Sequence, residues 1–114
     1  MSELKDEELK KVAGGTYSGV DFPGCYRLYY QLQELLNTHE EYRTISNYQH
    51  CMIYVDFGFE ALMDFRYLSA LSDARNALAI LEFIVKNNEI KEKFINEAKS
   101  LAEELVSLLA VAEE

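Results

Sequence analysis

The 114-residue chain is short of the residues that interrupt regular backbone: it has one proline and five glycines. Gly14, Gly15, Gly19, Pro23 and Gly24 all fall within residues 14–24, so from Cys25 to Glu114 only Gly58 breaks the run. That favours helices over hairpins, which need turn residues at short intervals. With only two cysteines, the chain is no disulfide-dense scaffold. Basic residues are also scarce, 11 Lys+Arg against 20 Asp+Glu, for a net charge of −9. A nucleic-acid binder neutralises phosphates with clustered cations, and an anionic membrane surface makes the same demand. Neither partner suits this composition. Long apolar runs are missing as well. A spanning helix takes roughly 20 mostly apolar residues, whereas Ala77–Val85 and Leu105–Ala112 are too short or are interrupted by Glu82. The first fifteen residues, with acidic side chains among the lysines, lack the positive n-region and apolar h-region of a general secretory signal.

What is present is enough for one small domain with a core, since 49% of the residues are hydrophobic and 27% charged. The spacing predicts four helices in an all-α body. The first covers about Phe22 to Leu36, with Phe22, Tyr26, Tyr29, Leu32 and Leu36 three or four apart. The second opens on Thr38-His39-Glu40-Glu41, which has the form of a capping box, and runs through Tyr42, Ile45, Met52 and Phe59 to Met63. Within it Cys51–Phe57 is rich in β-branched and aromatic residues and also fits a strand, and Gly58 marks a kink or break. The third starts with Ser72 or Asp73 as N-cap and ends at Asn87-Asn88. In the fourth, Phe94, Ala98, Leu101, Leu105, Leu108 and Ala112 form one apolar seam. A helix this amphipathic must pack, and short connections give an antiparallel bundle of three to four helices.

The pattern of residues 1–15 predicts a short amphipathic helix closed by two glycines. At about 100° per residue, Leu4, Glu8, Leu9 and Val12 lie within an arc of roughly 140°, a face that a shallow groove can hold. The glycines lack a Cβ, so the backbone there can lie extended in a narrow cleft. The segment resembles the double-glycine leader of bacteriocin and peptide-pheromone precursors. In that family Leu stands twelfth from the end of the leader, a Glu-Leu pair eighth and seventh, a branched apolar residue fourth and Gly-Gly last. Leu4, Glu8, Leu9, Val12, Gly14 and Gly15 occupy those places, and Lys5 replaces a loosely held Ser.

The resemblance implies a short leader helix at 1–15; the clustered glycines and Pro23 mark a flexible linker at 16–24, and the helical spacing a helical bundle domain at 25–114. The resemblance also implies a transporter peptidase domain as partner, a cut between Gly15 and Thr16, and export by an ABC transporter carrying that peptidase. Removing residues 1–15 takes away four acidic and three basic side chains and leaves a net charge of −8, unlike the cationic charge with which such peptides reach anionic membranes. The same fifteen residues also make an ordinary amphipathic helix with a glycine stop. The bundle, uncut, is then similar in size and class to intracellular bacteriocin immunity proteins, which act by binding a partner in the cytoplasm.

In the body, Cys25 and Cys51 are the candidates for a disulfide, as an exported chain meets an oxidising setting. A cysteine nucleophile paired with His39 or His50 lacks any catalytic signature, so no enzyme is expected. Asp56, Glu60 and Asp64, four apart on one helix face with His50 nearby, read as a solvated face, since no Glu-x-x-His accompanies them. No metal or other cofactor is expected. Tyr29 with Tyr30, and Tyr54 with Phe57, cannot all point inward from one helix, which leaves aromatic surface for a protein partner.

Overall fold

The computed structural model describes residues 19–114. Helix α1 spans Phe22–Thr38, α2 Ser46–Met63, α3 Tyr67–Lys86 and α4 Phe94–Leu109, with 3-10 turns at Glu40–Thr44 and Ala110–Glu113. There is no strand among the described residues. The expected all-α bundle is the fold.

Helix α1 starts inside the segment expected to be a linker. The Asp21 carboxylate accepts from the Gly24 amide at 3.0 Å, and Pro23 sits in the first turn, where its missing N–H costs nothing. Glycine suits position 24, because a Cβ would strike the capping Asp21 carboxylate and come within 3.2 Å of Leu108. Val20, Phe22 and Gly24 are buried. Among the described residues the packed body includes Val20 and Phe22, ahead of Cys25, so residues 20–24 of the expected 16–24 linker belong to the bundle. Residues 16–18 lie outside the described residues.

The capping box at Thr38 does not form. Thr38 is the last residue of α1 and its hydroxyl donates back to the Glu34 carbonyl at 2.7 Å. Tertiary contacts override the local signal. Tyr42 packs on Phe94 and Tyr48 with ring centroids 5.6 and 5.9 Å away, and His39 stacks on Phe94 at 3.7 Å. Held there, residues 40–44 form a 3-10 turn, and α2 starts only after extended Ile45.

Residues 51–57 are helical, which removes the strand alternative. Cys51, Met52, Val55, Phe59 and Leu62 are buried at helical spacing while Ile53 and Phe57 are exposed, a pattern that a strand, alternating every second residue, cannot produce. The helix also runs through Gly58 without ending. At the turn after α2, Phe65 adopts a left-handed φ of 61°, and the Arg66 amide reaches back to the Ala61 carbonyl at 2.9 Å, a Schellman-type closure normally made with glycine. Its ring packs on Phe22, centroids 5.5 Å apart, which offsets the backbone strain.

Helix α3 begins at Tyr67, five residues before Ser72, so the N-cap expected at Ser72 or Asp73 is displaced. Burial of Tyr67, Ala70 and Leu71 explains the extra turn. Its C-terminus is where the sequence placed it: Asn88 takes a φ of 53° and the Asn87 side chain donates to the Phe83 carbonyl at 2.9 Å. In α4 the inward face is turned from the expected seam. Phe94, Ile95, Ala98, Ala102, Leu105 and Leu109 are buried, whereas Leu101, Leu108 and Ala112 are only half-buried. Ala98 and Ala102 let the backbone approach its neighbours, so the leucines on either side ride on the shoulder.

Partners fix the topology. Tyr48 donates to the Leu36 carbonyl and Tyr29 meets Phe59, so α1 and α2 are antiparallel. Cys51 approaches the Ala77 carbonyl while Phe57 borders Ser69 and Ser72, so α2 and α3 are antiparallel. Leu108 lies by Gly24 while Leu101 shares a groove with Leu35, so α4 runs against α1 and closes the bundle. Among the described residues the core extends from Val20 to Leu109. Among the described residues no buried side-chain nitrogen or oxygen lacks a hydrogen bond, as close-packed interiors require. No helix among them is long and apolar enough to cross a membrane.

Candidate functional site

The residues assigned to leader recognition (Leu4, Glu8, Leu9, Val12) and to cleavage (Gly14, Gly15, Thr16) lie outside the described residues.

Cys25 and Cys51, the candidates for a disulfide, are both free and buried. Each belongs to a different part of the core: Cys25 sits in the first turns of α1 near Asp21, and Cys51 directs its thiol at the Ala77 carbonyl, 3.8 Å away. Burial pushes both thiols up to about 12, helped at Cys25 by the Asp21 carboxylate. A nucleophilic cysteine needs the opposite, a thiolate stabilised near neutral pH. Neither histidine is placed to change this. His39 is stacked on Phe94 with its Nδ1 3.7 Å from Glu41, and His50 is exposed on the outer side of α2.

Asp56, Glu60 and Asp64 are exposed. Asp56 accepts from Gln33 at 2.8 Å and Asp64 lies 3.5 Å from Arg66, so two of the three face other side chains instead of one another. No group of three or more histidine, cysteine or carboxylate side chains is arranged to hold a metal ion among the described residues.

The aromatic pairs divide between core and surface. Tyr29 is fully buried and Tyr30 is 44% exposed; Tyr54 is half-buried and Phe57 is 56% exposed. Outside the core, His50, Ile53, Tyr54 and Phe57 line a shallow groove along α2, the i, i+3, i+4, i+7 pattern of an apolar helix face. Helix α2 is thus apolar on both sides, which is why its sequence showed no clean stripe. Past Phe57 the groove turns polar, with Glu60, Arg66 and Asp73 between α2 and α3. Burial raises the Asp73 pKa, opposed by Arg66.

A second groove, of about 420 Å³, runs between α1 and α4. Its floor is Tyr30, Leu35 and Leu101, and Glu34 and Glu97 stand on its rim. It exists because the rotation of α4 leaves Leu101 on the shoulder instead of in the core. The sequence signal for it was present: Leu35 next to Leu36, and Leu101 flanked by Ala98 and Ala102, are surplus to one inward face.

Compared with protein-family models, with curated proteins and with solved structures, the chain has no match in any of the three.

Proposed function

We propose that the chain is a bacteriocin-type precursor of a secreted helical protein, exported by an ABC transporter whose peptidase domain docks Leu4, Glu8, Leu9 and Val12 and cuts after Gly15. The observation that carries the reading is the register of those four residues with Gly14 and Gly15, ahead of a helical bundle whose first described core residue is Val20. In this reading the body works outside the cell as a non-enzymatic binding protein that needs no cofactor. The exposed Tyr30, Ile53 and Phe57 and the two apolar grooves support that role.

A second reading, an uncut cytoplasmic bundle of the immunity type, draws support from the free, buried state of Cys25 and Cys51, the usual condition of thiols in a reducing compartment. One experiment separates the two. The full chain is incubated with double-glycine peptidase domains and the products are weighed by mass spectrometry. The export reading expects a new N-terminus at Thr16, lost in Gly15→Val and weakened in Leu9→Ser. Survival of the intact chain, or equal cleavage of the variants, selects the uncut reading.

A further inference from the structure

The groove between α1 and α4 combines an apolar floor with charge of one sign. Tyr30, Leu35 and Leu101 form the floor, Glu34 and Glu97 stand above it, and no lysine or arginine lines it. Neither carboxylate is in a salt bridge among the described residues. The groove beside Phe57 differs, since Arg66 stands there with Glu60 and Asp73 and the charges are mixed. We infer that the α1–α4 groove is a docking site for a cationic amphipathic helix of a protein or peptide partner.

Shape and charge both lead there. Two antiparallel helices with half-buried side chains between them offer a trough in which a third helix can seat side chains at i, i+3 and i+4. Lysine or arginine flanking that apolar row meets Glu34 and Glu97 across the rim. The chain's net charge of −9 draws a cationic partner in and repels an acidic one, so it sets both the rate of encounter and the choice of partner. The site lies wholly within the helical body, so the inference stands whether or not the chain is cut after Gly15.

The full chain contains no tryptophan, so a peptide carrying one reports its own binding by fluorescence. The probe is a Leu/Lys helix of about 18 residues, long enough to hold helical structure, with one tryptophan on its apolar face. Its counterpart has Glu for Lys. The Lys peptide is expected to bind, more weakly as salt rises, with NMR shifts centred on Tyr30, Leu35 and Leu101; the Glu peptide is not. Glu34→Lys/Glu97→Lys should weaken binding roughly tenfold. Glu82→Lys/Glu103→Lys changes the net charge equally on exposed positions outside the groove and should retain most of the affinity. Failure of the Lys peptide to bind, equal binding of both peptides, equal loss in both double variants, or shifts centred on Ile53 and Phe57 each overturn the assignment. So does a dimer that Leu101→Glu converts to monomer, because the groove is then filled by a second copy.

Discussion

The hydroxyl of Tyr29 donates to the Ala70 carbonyl at 2.6 Å, and its ring reaches that position only because residue 58 is glycine. A Cβ there would meet the Tyr29 hydroxyl and lie 2.7 Å from the carbon that bears it. One absent methyl group in α2 thus lets a side chain of α1 tie itself to α3. Gly58→Ala should destabilise the bundle by about 1–3 kcal/mol through overpacking, although alanine is the better helix former. Tyr29→Phe should cost about 0.5–1.5 kcal/mol, the usual net value of a hydrogen bond. The double variant should be more stable than the sum of the two losses, since removing the hydroxyl relieves part of the collision. Urea denaturation of the four proteins measures this; strict additivity would mean that the two residues do not press on each other.

The turned face of α4 separates two leucines that the sequence treats alike. Leu105 is fully buried and Leu101 half-buried. Leu105→Ala should cost about 2–5 kcal/mol, a large part of the roughly 5–15 kcal/mol that holds a domain together. Leu101→Ala should cost clearly less, and thermal melts of the two variants rank them. Equal losses would place Leu101 in the core and close the groove.

Burial of Cys25 and Cys51 fixes the sign of a pH effect. Their folded pKa values lie near 12, above the ordinary 9.0, so the native state holds protons that the unfolded chain releases. Stability from this source is complete below pH 9 and falls as the pH rises from there toward 12, by about 1.4 kcal/mol per pH unit for each thiol. Between pH 9 and 10, before the raised tyrosines Tyr29 and Tyr48 contribute, the Cys25→Ala/Cys51→Ala variant should show a flatter decline than wild type. The thiols should also react with a disulfide reagent only on unfolding, and fast labelling of the native protein would contradict their burial.

Asp56, Glu60 and Asp64 provide the contrast. Each is exposed, so Glu60→Ala and Asp64→Ala should stay within about 0.5 kcal/mol of wild type. Asp56→Ala loses the Gln33 hydrogen bond and should cost no more than about 1 kcal/mol. A chelator should leave the melting temperature unchanged; stoichiometric metal with stability lost on chelation would reverse that reading.

Removing residues 1–15 should leave the body's helical signal and melting temperature nearly unchanged, as circular dichroism can show. A drop of several degrees would mean that Leu4, Leu9 and Val12 pack on the bundle.

The sequence by itself determined the class of fold and most helix ends. Ninety residues with a single glycine and no proline from Cys25 onward leave little but helices, and the stop at Asn87-Asn88 is local chemistry, because asparagine tolerates the left-handed turn that ends α3. Local signals failed where distant residues compete for the same atoms. Thr38 was drawn back into α1 once His39 and Tyr42 had settled on Phe94, more than fifty residues away. The strand alternative at 51–57 stayed open because α2 is apolar on two sides, and only the neighbouring helices decide which side is inside. The same holds for α4: Leu101, Leu105 and Leu108 look alike along the chain, and the close approach permitted by Ala98 and Ala102 chose Leu105 for the core and left Leu101 to line a groove. Helical period is a property of the chain alone, whereas the direction in which a helix turns its faces depends on the volume and shape of what packs against it.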